Sequence, residues 1–218
     1  MIRTVSIVPT ILTNNKQDFR AQVERVNVFT RRVQIDITDG VFATNPTLDI
    51  TDIWWPNGWQ TDLHLMVKNP SKYIETILKL RPSLVFFHAE VEENLLDSFE
   101  ILKQNGVKVG VALLQSTYPG AVKQYIEAAD AVLIFAGQLG MQGGVANMLQ
   151  TEKIALVRNV KSDVEIGWDG GANLSNIRAL AHVDLDVINV GSALSMAEDP
   201  AAVYAEMVAE IDKSGVVL

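Results

Sequence analysis

At 218 residues, 48% of them apolar, the chain is long enough to bury the core of one domain without disulfides or a structural metal, and its zero cysteines exclude a disulfide framework, a thiolate metal site and a cysteine nucleophile. The net charge of -8, with Lys and Arg scattered singly, offers no basic stripe for nucleic acid, so an anionic substrate needs a local site. No apolar run approaches the roughly 20 residues of a membrane span, and the opening MIRTVSIVPTILTNN breaks at Pro9 and at Thr13 to Asn15, unlike a secretory signal; a cytoplasmic protein is the expectation.

Taken in order, short β-branched apolar runs predict eight strands: Val5 to Val8, Val33 to Ile37, Asp62 to Met66, Leu84 to His88, Val107 to Leu113, Ala131 to Phe135, Val164 to Trp168 and Val187 to Val190. Between and after them, amphipathic spacing predicts helices over Asp18 to Phe29, Ser71 to Lys79, Asn94 to Gln104, Gly120 to Ala129, Met148 to Val160, Leu174 to Ala181 and Ala201 to Lys213. The stretch after the second strand, with Trp54, Trp55 and Pro56, is less regular. Eight such alternations in this length point to an α/β fold of the closed (β/α)8 TIM-barrel type, spanning 1–218 as one domain. An open doubly wound sheet fits less well, because the first strand ends in Pro9-Thr10 and not in a Gly-rich turn.

In such barrels the chemistry sits at the C-terminal ends of the strands. On strand two, Gln34 and Asp36 are two apart and point into the barrel, while Val33, Ile35 and Ile37 face the helices; Asp62, His64 and Met66 repeat the pattern on strand three. Strand seven ends at Asp169, followed by Gly170-Gly171, and strand eight is followed by Gly191-Ser192; backbone N–H groups there can cradle an anion. The glycine-rich segment after strand six, with Gly140, Gly143 and Gly144, can close over the same group. Asp36 and Asp169 lie three strands apart around the ring, which suits proton removal from one face of a carbon and delivery to the other. His88 reads either as pocket-lining or as a satisfied core histidine, and Glu90 as a loop pairing. Asp39 reads as a turn cap, Asp62 as an orienting neighbour, and Trp54, Trp55 and Trp59 as packing.

Six strings carry a resemblance: VPTIL, QIDITDG, DLHLMV, FFHAE, WDGGANLSNI and NVGSALS, each at a strand end and all in register. Together they resemble the P-S-I-L, H-V-D-x-M-D-G, D-V-H-L-M, V-H-A-E, V-D-G-G-I-N and A-G-S-A-V-F motifs of the ribulose-phosphate 3-epimerase family. The resemblance implies a ribulose-phosphate-binding barrel that interconverts D-ribulose 5-phosphate and D-xylulose 5-phosphate, or a related ketose phosphate. It makes Asp36 and Asp169 the acid/base pair and, with His64, ligands of a divalent metal such as zinc, iron or manganese. The family's fourth ligand, a histidine, falls at Gln34, a poorer ligand. It also implies substrate contacts from Thr10, His64, Met66, Gly140, Gly143, Gly144, Gly170, Gly171, Gly191 and Ser192, and a homo-oligomer. Thr10 stands for the family's serine, Thr38 for its methionine, Leu114-Gln115 for its strand-five N-P, and AGQLGMQGG from Ala136 for its S-V-N-P-G-F-G-G loop. The alternatives are a phosphosugar-binding barrel that has lost catalysis, and a related barrel lyase; the latter lacks a lysine at a strand end, since Lys108 opens strand five at the wrong end and Lys68 lies in a loop.

Overall fold

The computed structural model describes residues 5–141 and 143–213. Eight parallel strands, β1 (Ser6–Ile11), β2 (Arg32–Thr38), β3 (Gln60–Met66), β4 (Leu84–His88), β5 (Lys108–Leu113), β6 (Ala131–Phe135), β7 (Glu165–Asp169) and β8 (Val187–Val190), close into a barrel in chain order, with β8 pairing back onto β1. The first strand runs past Pro9-Thr10 to Ile11, and β7 begins one residue later than the apolar run suggests and includes Asp169.

The outer layer consists of α1 (Lys16–Val26), α2 (Ile74–Leu80), α3 (Leu96–Gln104), α4 (Lys123–Ala128), α5 (Glu152–Val160), α6 (Ile177–Ala181), the one-turn α7 (Ser192–Ser195) and α8 (Pro200–Ile211). The predicted helix starts at Ser71, Gly120 and Met148 fall on 3-10 turns that lead into α2, α4 and α5. Between β2 and β3 only a 3-10 turn, Ile50–Asp52, replaces the helix. Pro46 and Pro56 bracket this stretch and cannot donate to a helical hydrogen bond.

Local chemistry accounts for these elements. In α1, Phe19, Val23 and Val26 recur at helical spacing and are the buried residues, and Asn15 caps the helix by accepting from the N–H groups of Gln17 and Asp18. Strand alternation sorts the two sides of the barrel. Val33, Ile35 and Ile37 join the main core between strands and helices, whereas Leu84, Phe86, Ala112, Ala131 and Leu133 form a second, smaller cluster. At the N-terminal end of the strands, the Arg32 guanidinium bonds Asp62 at 2.9 Å and Glu165 at 2.6 Å and 3.2 Å. Asp62 and Lys108 line a cavity at that end, opposite the functional mouth.

Candidate active site

The mouth of the barrel at the C-terminal strand ends holds a pocket of about 510 Å³, part of it open to solvent. Thr10, Asp36, Met66, Gly140, Gly143, Gly144, Asp169, Gly170, Gly171, Gly191 and Ser192 all line it. Two of the residues singled out in the sequence do not: Gln34 and His64 lie beneath the floor with 0% exposure. Trp54, Trp55 and Trp59 are not among its lining residues. Trp59 donates its indole N–H to Asn27 at 2.8 Å, and Trp54 sets its ring edge-on to Phe19. Asp39 is a turn cap, accepting from the N–H groups of Val41, Phe42 and Lys68.

Strand register builds the floor. β2 and β3 pair with Asp36 opposite His64, and β1 and β2 with Thr10 opposite Gln34. Gln34 makes no bond to His64; its Nε2 donates to Asp36 Oδ1 at 2.8 Å and to Asp169 Oδ2 at 2.6 Å. The two carboxylates therefore converge on one amide, and Gln34 Oε1 is left buried with no partner. His64 Nδ1 lies 3.2 Å from Asp36 Oδ1 and 3.5 Å from Asp169 Oδ2.

Burial and the neighbouring Asp169 carboxylate raise the pKa of Asp36, against hydrogen bonds from His64 and Gln34 that lower it. Burial disfavours a charge on His64, yet its hydrogen bonds to Asp169 and Asp36 outweigh that and raise it to about 9. For His88 burial dominates and lowers the pKa to about 4, with Glu90 opposing.

His88 and Glu90 are functional candidates that the sequence left open. His88 is fully buried, 2.9 Å from His64 Nε2 through its own Nε2, and 3.3 Å from Glu90 Oε2 through Nδ1. Phe135 also borders the pocket and packs against both histidine rings. The available signal for His88 was its inward parity on β4, beside the strand that carries His64.

The loop after β6 closes one side of the pocket and is tied down on three flanks. Gln115 donates to the carbonyls of Ala136 and Gly137, Asn45 donates to Gly140, and the chain of Gly170 and Gly171 packs directly on it. Gly170 and Gly171 have φ of +120° and +69°, and a Cβ on them would meet Gly137 N at 2.0 Å and Ala146 N at 2.2 Å. Close backbone approach requires glycine at both positions, and both lie on the pocket wall.

The sequence model of the ribulose-phosphate 3-epimerase family matches residues 6–195. The chain belongs to the ribulose-phosphate 3-epimerase family. It is 28% identical over 216 residues to the cytoplasmic isoform of ribulose-phosphate 3-epimerase from Oryza sativa subsp. japonica, covering 95% of each chain. To the ribulose-phosphate 3-epimerase of Helicobacter pylori J99 it is 25% identical over 202 residues, 89% of this chain and 93% of that one. Among solved structures, 3-hexulose-6-phosphate synthase from Salmonella typhimurium superposes with a TM-score of 0.72 at 13% identity, covering 95% of this chain and 98% of that one, which is a likeness of fold. This epimerase-family barrel is accordingly an enzyme of the isomerase class, and none of the helices among its described residues is long and apolar enough to cross a membrane.

Proposed function

We propose that the protein interconverts D-ribulose 5-phosphate and D-xylulose 5-phosphate through an enediolate, with Asp36 and Asp169 as the two acid/base groups. The observation that carries this reading is the pair of carboxylates on β2 and β7 that both line one pocket and converge on a single amide nitrogen at 2.8 Å and 2.6 Å. One carboxylate removes the C3 proton, and the C–H electron pair moves toward the C2 carbonyl, whose oxygen gains charge. The other, protonated, delivers its proton to the opposite face of C3. Each turnover thus exchanges the protonation states of the two groups, and return to the starting state proceeds by exchange with water. Burial suits Asp36 to this work by holding its proton more tightly than an exposed aspartate does.

A divalent cation of the zinc, iron or manganese kind fits the donor set: Asp36, His64 and Asp169 each offer one ligand atom, and these atoms lie within 4.8 Å of one another. When bound, such an ion supplies positive charge that stabilises the enediolate oxygens. Gln34, which stands where the family places a histidine, turns its amide nitrogen to the carboxylates and so serves as their hydrogen-bond donor. Thr10 and Met66 border the sugar, the hydroxyl of Thr10 as a hydrogen-bond partner and Met66 as an apolar cover. The phosphate falls to the wall formed by Gly140, Gly143, Gly144, Gly170, Gly171, Gly191 and Ser192, where α7 begins.

The reading is tested by following conversion of D-ribulose 5-phosphate with zinc, manganese or iron added in turn. Activity that falls by at least 100-fold in both Asp36→Asn and Asp169→Asn supports it; equal activity in either variant contradicts it. A second reading, a phosphosugar-binding barrel without catalysis, draws on the Gln34 amide already engaging both carboxylates by hydrogen bonds. It predicts no conversion under any metal while sugar phosphates still raise the melting temperature. By family resemblance we also place the protein in the cytoplasm as a homo-oligomer, which light scattering on the eluting protein tests for subunit number.

A further inference from the structure

Beneath the pocket a hydrogen-bonded row runs from the aspartates to the loop after β5. His64 Nδ1 faces Asp36 and Asp169, His64 Nε2 meets His88 Nε2 at 2.9 Å, and His88 Nδ1 meets Glu90 Oε2 at 3.3 Å. Glu90 Oε1 in turn accepts from the Leu114 N–H at 2.9 Å and from the Thr117 hydroxyl. Both histidines have 0% exposure, and the rings of Phe42 and Phe135 pack against them, so water offers no substitute partners.

The direction of every hydrogen in the row follows from one end. A carboxylate only accepts, so the hydrogen between Glu90 and His88 belongs to His88 Nδ1. A neutral imidazole carries one ring hydrogen, which leaves His88 Nε2 as a lone pair. Two ring nitrogens 2.9 Å apart share one hydrogen, and here His64 Nε2 must supply it. In the metal-free protein His64 Nδ1 carries a second hydrogen, donated to the aspartates, and this is the hydrogen whose place a cation between them would take.

We propose that Glu90 and His88 are positioning residues that hold one His64 hydrogen on Nε2 and so leave Nδ1 as the ligand atom for a divalent cation shared with Asp36 and Asp169. The proposal rests on the reading above that a cation is held there. It gives the row a task distinct from packing: a metal-bound histidine is oriented, and its basicity raised, by the acceptor on its other nitrogen. It also bears on the change at Gln34. With no imidazole at that position, His64 is the only nitrogen ligand in the set, so its tautomer weighs more heavily on the affinity.

Glu90→Gln is a near-isosteric test with a definite sign. The Leu114 N–H can only donate, so the new amide turns its oxygen to Leu114 and its NH2 to His88 Nδ1. His88 must then carry its hydrogen on Nε2, and His64 Nε2 must accept it, which leaves His64 with its only hydrogen on Nδ1, the ligand atom. His88→Phe is the second variant: it removes the acceptor altogether at a site already walled by Phe42 and Phe135.

The chain has three histidines, one of them, His182, exposed on α6's C-terminal side, so nitrogen-15 labelling of histidine resolves every ring nitrogen by NMR on the full-length protein. Zinc affinity is measured on the same samples by competition with a chromogenic chelator. The expected result is hydrogen on Nδ1 of His88 in the unaltered protein, its transfer to Nε2 in Glu90→Gln, and zinc binding weakened about 10- to 100-fold in both variants. Hydrogen on Nε2 of His88 in the unaltered protein overturns the proposal. So does zinc affinity unchanged in Glu90→Gln or, should that variant not fold, in His88→Phe. If the unaltered protein binds no zinc, or binds it equally after Asp36→Asn and Asp169→Asn, the cation reading itself fails, and the tautomer measured without metal shows separately whether the row exists.

Discussion

Replacing Gln34 by leucine removes the donor shared by two buried carboxylates while nearly preserving volume. Its Nε2 bonds Asp36 at 2.8 Å and Asp169 at 2.6 Å, and each hydrogen bond to a charged group contributes about 2 kcal/mol. Against this, Gln34 Oε1 is buried without a partner, and its removal relieves about 2 kcal/mol of desolvation. The net loss in metal-free protein is therefore about 2 kcal/mol, which for a chain of this length lowers Tm by roughly 4–8 °C. A cation between the carboxylates takes over their stabilisation, so in saturating zinc the loss shrinks to less than half of that. The assay is thermal unfolding by circular dichroism of both proteins, in chelator and in excess zinc. An equal loss in the two conditions would refute the reasoning, because it would mean that Gln34 does not compete with a cation for the same charges.

Three other perturbations follow from the geometry. Arg32→Met strands Asp62 in the barrel floor and should cost about 3 kcal/mol at pH 8; the loss should shrink toward pH 5, because burial has raised Asp62 to about 6 and it is then protonated, and conversion at 25 °C should persist, since Arg32 lies at the opposite end from the pocket. Gly171→Ala places a Cβ 2.2 Å from Ala146 N at a φ of +69°, so the loop after β6 must shift; KM for the phosphosugar should rise several-fold and Tm should fall, both checked in steady-state kinetics and calorimetry. His64 is raised to about 9 from an unfolded value near 6.5, so in metal-free protein its contribution is complete below pH 6.5 and is lost as pH rises through 9. Over that window the stability of the unaltered protein should fall by about 3 kcal/mol more than that of His64→Gln in urea titrations.

Much of this was legible in the chain because a barrel strand has a period of two and a fixed end for chemistry. Gln34, Asp36, His64 and Asp169 all stand at inward positions, and each is where that parity puts it. The β2–β3 connection was readable only as irregular, since tryptophans and prolines there carry no periodic signal, and it forms a 3-10 turn. The direction of the Gln34 amide was not legible: it depends on Asp169, 135 residues away, through the closing of the ring. The same holds for Gly170 and Gly171, whose anion-cradle reading omits the backbone of the loop after β6 that presses on them. His88 and Glu90 stayed ambiguous because a lone inward histidine fits both packing and function. The contacts that bear on the choice lie on other elements, at the neighbouring strand's His64 and at Leu114 and Thr117 of the next loop.

The central claim is that two carboxylates work on opposite faces of one carbon, and the isotope in the first product tests it most directly. D-Ribulose 5-phosphate is converted in deuterated water with metal supplied, and the C3 position of the earliest D-xylulose 5-phosphate is read by NMR. With Asp36 and Asp169 as separate bases, that product carries deuterium from solvent at C3 while the remaining substrate still carries protium. Early product that keeps the substrate's own hydrogen would contradict the account, because one group would then be moving the proton between faces.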